Sequence, residues 1–165
     1  MDAPKWYRTH MHSPLGWIAI EGNDAGLTAV QFKDEEPEET ETIPPVLEAA
    51  KQQLEAYFAG DLKEFDLPLA PEGTDFQRSV WNVLVGVPYG RTSSYIDVAA
   101  VLQNEKAVRA VGAANGRNPI AIVVPCHRII GANGKLTGFA GGIWRKRWLL
   151  DHEMKHTQGA QISLF

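Results

Sequence analysis

Three stretches near the start of the chain, residues 6–11, 17–21 and 27–32, are rich in β-branched and aromatic residues. They are separated by Ser13-Pro14-Leu15-Gly16 and by Gly22-Asn23-Asp24-Ala25-Gly26, both turn chemistry, and so predict a β-meander. Leu47, Ala50, Leu54, Tyr57 and Phe58 then recur at helical spacing across residues 46–59, with Gly60 where a C-terminal cap belongs. This helix is expected to cover the small sheet. Residues 61–73 hold Pro68 and Pro71 and no sustained period, which reads as a linker with a boundary near Glu72.

Beyond the boundary, Thr74 with Gln77 three residues on forms a capping box ahead of Phe76, Val80, Val83 and Leu84, one face of a helix ending near Gly86. Ser94 with Asp97 opens another helix, residues 95–102, and Gln103-Asn104 breaks it before a further helix over about 105–115. Two short helices so closely joined predict a helix-turn-helix at about 94–115. Residues 120–124 are apolar, β-branched and bounded by Pro119 and Pro125, which predicts a short buried strand. After Ile129-Ile130, Asn133-Gly134 predicts a hairpin tip, and residues 144–154 read as a last helix. The fold class is α+β. Residues 1–72 form a supporting domain of β-meander plus helix, and residues 73–165 a mainly helical domain with a short strand or hairpin carrying the sole cysteine.

The chain of 165 residues has a formal net charge of −4, which argues against a polyanionic partner until its distribution is counted. Residues 1–73 hold 5 Lys and Arg against 15 Asp and Glu, a balance of −10, while residues 74–165 hold 11 against 5, a balance of +6. The basic half is thus the half able to approach a polyanion. Asp34 to Glu41 is a charge block expected to be a solvated, mobile loop. No apolar run reaches the length of a membrane span, and Asp2, Pro4 and Lys5 ahead of Trp6 leave no signal-peptide core, so the expected location is the cytoplasm, or the nucleus in a eukaryote. A single cysteine excludes an internal disulfide and a Cys-rich zinc site.

That cysteine, Cys126, stands in Pro125-Cys126-His127-Arg128 just past the predicted strand. A thiol attacks as thiolate, and its pKa falls beside cationic or hydrogen-bonding groups, so His127 and Arg128 are the right residue types for activation. Adjacent side chains in extended structure point to opposite faces, so pairing Cys126 with His127 needs a turn at Pro125 or a bridging water. The alternative is a buried inert cysteine. From Ala107 to Ala114 the helix over residues 105–115 has almost no side-chain bulk, with Ala107, Ala110, Gly112 and Ala113 around one long exception, Arg109. Against protein, this is ordinary packing with Arg109 in solvent. Against DNA, so smooth a helix suits the minor groove, with Arg109 placed to fill the gap left by an extruded base. It lacks the Asn, Gln and Arg set that reads base edges in the major groove.

Pro125-Cys126-His127-Arg128, preceded by Asn118-Pro119 and followed by Gly138-Phe139-Ala140-Gly141-Gly142, resembles the signature of the O6-alkylguanine-DNA alkyltransferases, over roughly residues 73–153. The resemblance implies a repair protein that flips O6-alkylguanine out of duplex DNA and moves the alkyl group irreversibly to Cys126, once per molecule, with O4-alkylthymine as a further substrate to test. It implies that His127 is the base through a water, Glu153 its orienter, Asn118 a tie between the helix-turn-helix and the active-site loop, and Tyr95 the residue that helps flip and protonate the guanine. It further implies Arg109 as the intercalating finger of a minor-groove helix, and Pro119, Ile129, Phe139, Ala140 and Gly141 as pocket wall.

Many members have Tyr at Phe139 and some have Ser at Ala140, so those hydroxyls are absent here, with consequences for substrate range. Glu153 has support of its own: at the end of a helix over residues 144–154 it would oppose the helix dipole, a placement that suggests a partner. His152 reads as a packing residue. No cofactor and no metal are expected, and the protein is expected to be a monomer, acting alone or cooperatively on duplex DNA. Two rivals remain: a Cys-His hydrolase, and a non-catalytic helix-turn-helix regulator or damage sensor.

Overall fold

The structure, a computed structural model, describes residues 5–162, with side chains in the last helix as far as Thr157; Asp2 and Pro4, on which the leader expectation rests, lie outside the described residues. The chain divides into two compact units, Met1–Glu72 and Gly73–Phe165. Both units combine helix with strand, in agreement with the α+β class.

In the first unit, β1 (Tyr7–Ser13), β2 (Gly16–Asn23) and β3 (Gly26–Lys33) form an antiparallel sheet in the order β1-β2-β3. The predicted turns set the register, pairing Ser13 with Gly16 and Asn23 with Gly26. Helix α1 (Pro45–Ala59) buries Leu47, Ala50, Leu54 and Tyr57 completely, and each apolar side chain removed from water contributes about 1.5–3 kcal/mol. It stops at Gly60, whose φ of 85° is left-handed and whose N–H bonds back to the helix.

Two expectations for this unit need correction. The acidic block is fastened along β1, an edge strand whose free backbone groups need partners. Arg8 N–H donates to the Thr40 hydroxyl at 3.0 Å, Thr40 N–H to the Arg8 carbonyl at 3.0 Å, and the Thr9 hydroxyl to Glu39 at 2.9 Å. The expected linker is likewise stitched to β3, with Leu27 N–H on the Pro68 carbonyl and Ala70 N–H on the Leu27 carbonyl, both at 2.8 Å.

In the second unit, α2 (Asp75–Val85) starts at the predicted capping box, in which Thr74 and Gln77 bond reciprocally. Its Trp81, 3% exposed, donates its indole N–H to the Ala114 carbonyl at 2.8 Å. Ser94 and Asp97 cap α3 (Tyr95–Val101) in the same way. Gln103, at φ 57°, breaks the chain, but the following helix begins late: Glu105–Ala107 is a 3-10 turn, and α4 spans Val108–Gly116.

The predicted strand at 120–124 does not form. Its backbone is satisfied locally, with Val124 N–H on the Ile120 carbonyl at 3.0 Å and Val123 N–H on the Ala121 carbonyl at 2.8 Å, around Ile122 at a left-handed φ of 72°. The Asn118 side chain takes over what a neighbouring strand would have supplied, bonding Ile120 N–H, Ile120 C=O and Val124 C=O at 3.0, 3.4 and 2.8 Å. Cys126 therefore stands on a 3-10 turn, Cys126–Arg128, and not on a strand or hairpin. That turn leads into β5 (Ile129–Ile130), which pairs in parallel with β4 (Ser93–Ser94) and lacks the hairpin return partner. The last helix, α5 (Ile143–Ile162), runs well past the predicted end, so Glu153 sits mid-helix and the dipole argument for it lapses.

Candidate active site

The 3-10 turn supplies the bend that adjacent Cys126 and His127 require. Both are buried, at 6% and 0% exposure, as is Arg128 at 6%. The turn faces α5, where Lys146, Leu149 and Glu153, at intervals of three and four residues, form one fully covered stripe.

Glu153 is the centre of the polar cluster. Its Oε2 lies 2.6 Å from His127 Nε2 and 3.0 Å from Arg128 Nη2, and its Oε1 accepts from Arg128 Nε at 2.8 Å and from Gly90 N–H at 3.1 Å. Gly90, at φ 76°, leaves no room for a side chain, since a Cβ would clash with the Thr157 hydroxyl. Burial alone would push the Glu153 carboxyl up, but hydrogen bonds and charge from His127 and Arg128 hold it well below the usual carboxylate range. An ionised carboxylate only accepts, so His127 donates through Nε2 and its other nitrogen, Nδ1, carries the lone pair. Among the described residues, Nδ1 is buried and has no hydrogen-bond partner. Burial, opposed by Glu153 and reinforced by Arg128 and Lys146, keeps the imidazole below its ordinary value, and hence uncharged at neutral pH.

Burial pushes the Cys126 thiol up, partly offset by a hydrogen bond from Asn118 and by the charge of Lys146. The Lys146 ammonium, fully buried, donates to the carbonyls of Ile129 at 2.5 Å and Thr137 at 2.7 Å. Burial lowers its pKa to about 8, against a pull upward from Cys126. This is a thiol at rest, beside an amide and a cation that favour its ionised form.

The structure thus brings Cys126, His127, Glu153 and Asn118 into one cluster. Tyr95 reaches the segment ahead of the glycine-rich run, its hydroxyl donating to the Thr137 carbonyl at 3.2 Å. Phe139 and Ile129 are buried, Pro119 and Gly141 partly covered and Ala140 exposed, with the run closed by Gly142 N–H on the Phe139 carbonyl at 3.0 Å. Arg109, Ala110 and Ala113 lie exposed on α4, Gly112 is half-covered beneath the Tyr95 ring, and Ala107 belongs to the preceding 3-10 turn. His152 stacks on Trp148, centroids 4.8 Å apart.

Two residues of the site escaped the sequence reading. Lys146 is a cation on a buried face, and a charge in register with an apolar stripe was the available signal for it. Asn115, 1% exposed on the inner side of α4, donates to the Cys126 carbonyl at 3.4 Å, and nothing in its helical spacing announced that partner.

Comparison with known proteins places these features in a wider group. Residues 75–155 match the family described as 6-O-methylguanine DNA methyltransferase, DNA binding domain, and residues 6–71 match its ribonuclease-like domain. A methylated-DNA–protein-cysteine methyltransferase from Methanosarcina acetivorans is 53% identical over 152 residues, spanning 89% of this chain and 97% of that protein. Among solved structures, the Mycobacterium tuberculosis O6-methylguanine methyltransferase matches with a TM-score of 0.83 at 46% identity, covering 92% of this chain and 94% of that one. The M. tuberculosis OGT crystallised in complex with DNA matches with a TM-score of 0.80 at 48% identity, covering 89% and 92%.

Proposed function

The chain belongs to the 6-O-methylguanine DNA methyltransferase family, DNA repair proteins that transfer an alkyl group to a cysteine of their own, and from that premise we propose that Cys126 is the acceptor and His127 its base. The observation that carries this reading is the pairing of a carboxylate-bound imidazole whose Nδ1 is unpaired with the chain's single cysteine on the adjacent position of a 3-10 turn.

Before transfer, His127 Nδ1 takes the thiol proton through one bridging water, while Glu153 holds the ring and stabilises the imidazolium. Asn118 and Lys146 lower the cost of the thiolate. Sulfur attacks the alkyl carbon, the bond from that carbon to guanine O6 breaks, and its electron pair passes to the base. The purine recovers a proton at N3 from the Tyr95 hydroxyl. With Phe139 and Ala140 in place of hydroxyl-bearing residues, donors to O6 come from backbone N–H groups of the 139–141 run. A thioether with no second thiol or reductant beside it is permanent, so each molecule acts once.

DNA is the partner, and within the proposal α4 enters the minor groove with Arg109 replacing the extruded nucleotide. Among the described residues no helix is long and apolar enough to cross a membrane. A buried free thiol suits a reducing compartment, here the cytoplasm.

The test is intact and peptide mass spectrometry after mixing the protein with an equal amount of duplex carrying one O6-methylguanine. The expected result is a single methyl gain confined to the Cys126 peptide and absent from Cys126→Ser. Binding to the lesion without any gain would overturn the acceptor assignment and leave a damage sensor.

A further inference from the structure

Arg128 belongs to the same run as the nucleophile, yet alkyl transfer as written gives it no step. Its position is nonetheless specific: Nε and Nη2 bond the two oxygens of Glu153, Nη1 donates to the Val87 carbonyl at 2.7 Å, and the guanidinium stands 5.6 Å from the Tyr89 ring. With His127 Nε2 and Gly90 N–H, four donors reach one carboxylate, which offers about four lone-pair sites. Glu153 therefore takes up no proton without expelling a donor.

The charged and titratable groups around the His127 ring are few. Glu153 and Lys146 approach from α5, Arg128 and Cys126 from its own turn, and Tyr89 from the turn before β4. Glu153 is the only one of these that is negative at neutral pH. An unbalanced carboxylate raises the pKa of a buried imidazole bonded to it, toward and past the neutral range, and a charged imidazole accepts no proton.

We propose that Arg128 is a positioning residue that balances Glu153 and so keeps His127 uncharged, and able to act as base, across the neutral range. The inference rests on His127 being the base. The low pKa direction of His127, to which Arg128 contributes, agrees with it.

The experiment follows transfer from duplex O6-methylguanine against pH, together with NMR titration of labelled His127, in wild type, Arg128→Gln, Arg128→Lys and the double variant Arg128→Gln/Glu153→Gln. In Arg128→Gln the acid limb of the rate profile moves up by about two pH units, the rate at pH 7 falls about tenfold, and most of it returns at pH 9. Arg128→Lys, whose ammonium meets one carboxylate oxygen, shifts the His127 titration part of the way, and the double variant returns it to the wild-type position or below. A merely structural arginine lowers the rate by one factor at every pH and leaves the titration unmoved, which overturns the proposal. If Arg128→Gln does not fold, an unmoved His127 titration in Arg128→Lys overturns it equally. The underlying base assignment fails separately, if His127→Gln keeps the wild-type rate.

Discussion

A carboxylate at 1% exposure, shared between an imidazole and a guanidinium, ties stability to pH. Because the folded-state pKa of Glu153 lies below its unfolded value, the folded form binds fewer protons through the carboxylate range, so its contribution is complete above about pH 4.3 and lost as pH falls further. The His127 imidazole is lowered too, so it costs stability as pH falls below about 6.5, where the unfolded chain takes a proton that the folded one does not. Wild type should therefore weaken in two stages on acidification. Glu153→Gln leaves the Arg128 charge buried and unpaired, costing about 3–5 kcal/mol at pH 7. The difference should shrink below about pH 4, since the unfolded wild type then takes up a proton that its folded carboxylate does not. Urea unfolding at both pH values checks this, and an equal gap at each would contradict it. Cys126, His127, Asn118 and Glu153 were legible because the resemblance numbered them. Lys146 and Asn115 were not, because their partners are backbone carbonyls of Ile129, Thr137 and Cys126, and a carbonyl has no letter in a sequence.

At the scale of elements, capping chemistry and the turn-bounded strands of the meander transferred well, and the isolated apolar run at 120–124 did not. Both capping boxes form, and each is a contact between residues three apart, within reach of local reading. The β-branched run at 120–124 has the composition of a strand, but a strand needs a neighbour, and Asn118 satisfies its backbone instead. The length of α5 was underread because Glu153 and its surroundings were taken as a terminus, whereas the helix continues to Ile162. The smoothness of α4 survives as an exposed face of Arg109, Ala110 and Ala113, and two substitutions test its use. Ala113→Leu, in solvent, should change stability by less than about 0.5 kcal/mol while weakening duplex binding about tenfold or more, because bulk on this face holds the helix off the groove. Unfolding curves and binding titrations report the two effects separately. Arg109→Ala should slow repair in duplex far more than attack on free O6-methylguanine, and equal losses would contradict intercalation.

At the scale of the molecule, the charge imbalance makes equilibrium and kinetics respond differently to the same substitution. Residues 74–165 carry the basic balance and contain the match to the DNA-binding domain, and each phosphate contact contributes about −0.9 to the slope of log affinity against log salt. Lys106→Ala, which removes an exposed cation at the start of the small-residue face, should flatten that slope by about 0.9 if it contacts phosphate. The acidic block of residues 34–41 enters otherwise, through the field that an approaching duplex meets. Glu35, Glu38 and Glu41 are exposed, whereas Glu39 and Glu36 are engaged with Thr9 and His10. Replacing Glu35, Glu38 and Glu41 with Gln removes three negative charges without loosening the loop, and so should raise the association rate by a few-fold at low salt. The gain should fade as the Debye length falls toward about 8 Å near physiological ionic strength, while the equilibrium salt slope stays as in wild type, since no counterion-releasing contact has changed. Stopped-flow association at several salt concentrations separates the two terms. A change in slope with no change in low-salt rate would mean that these glutamates lie within the DNA contact itself.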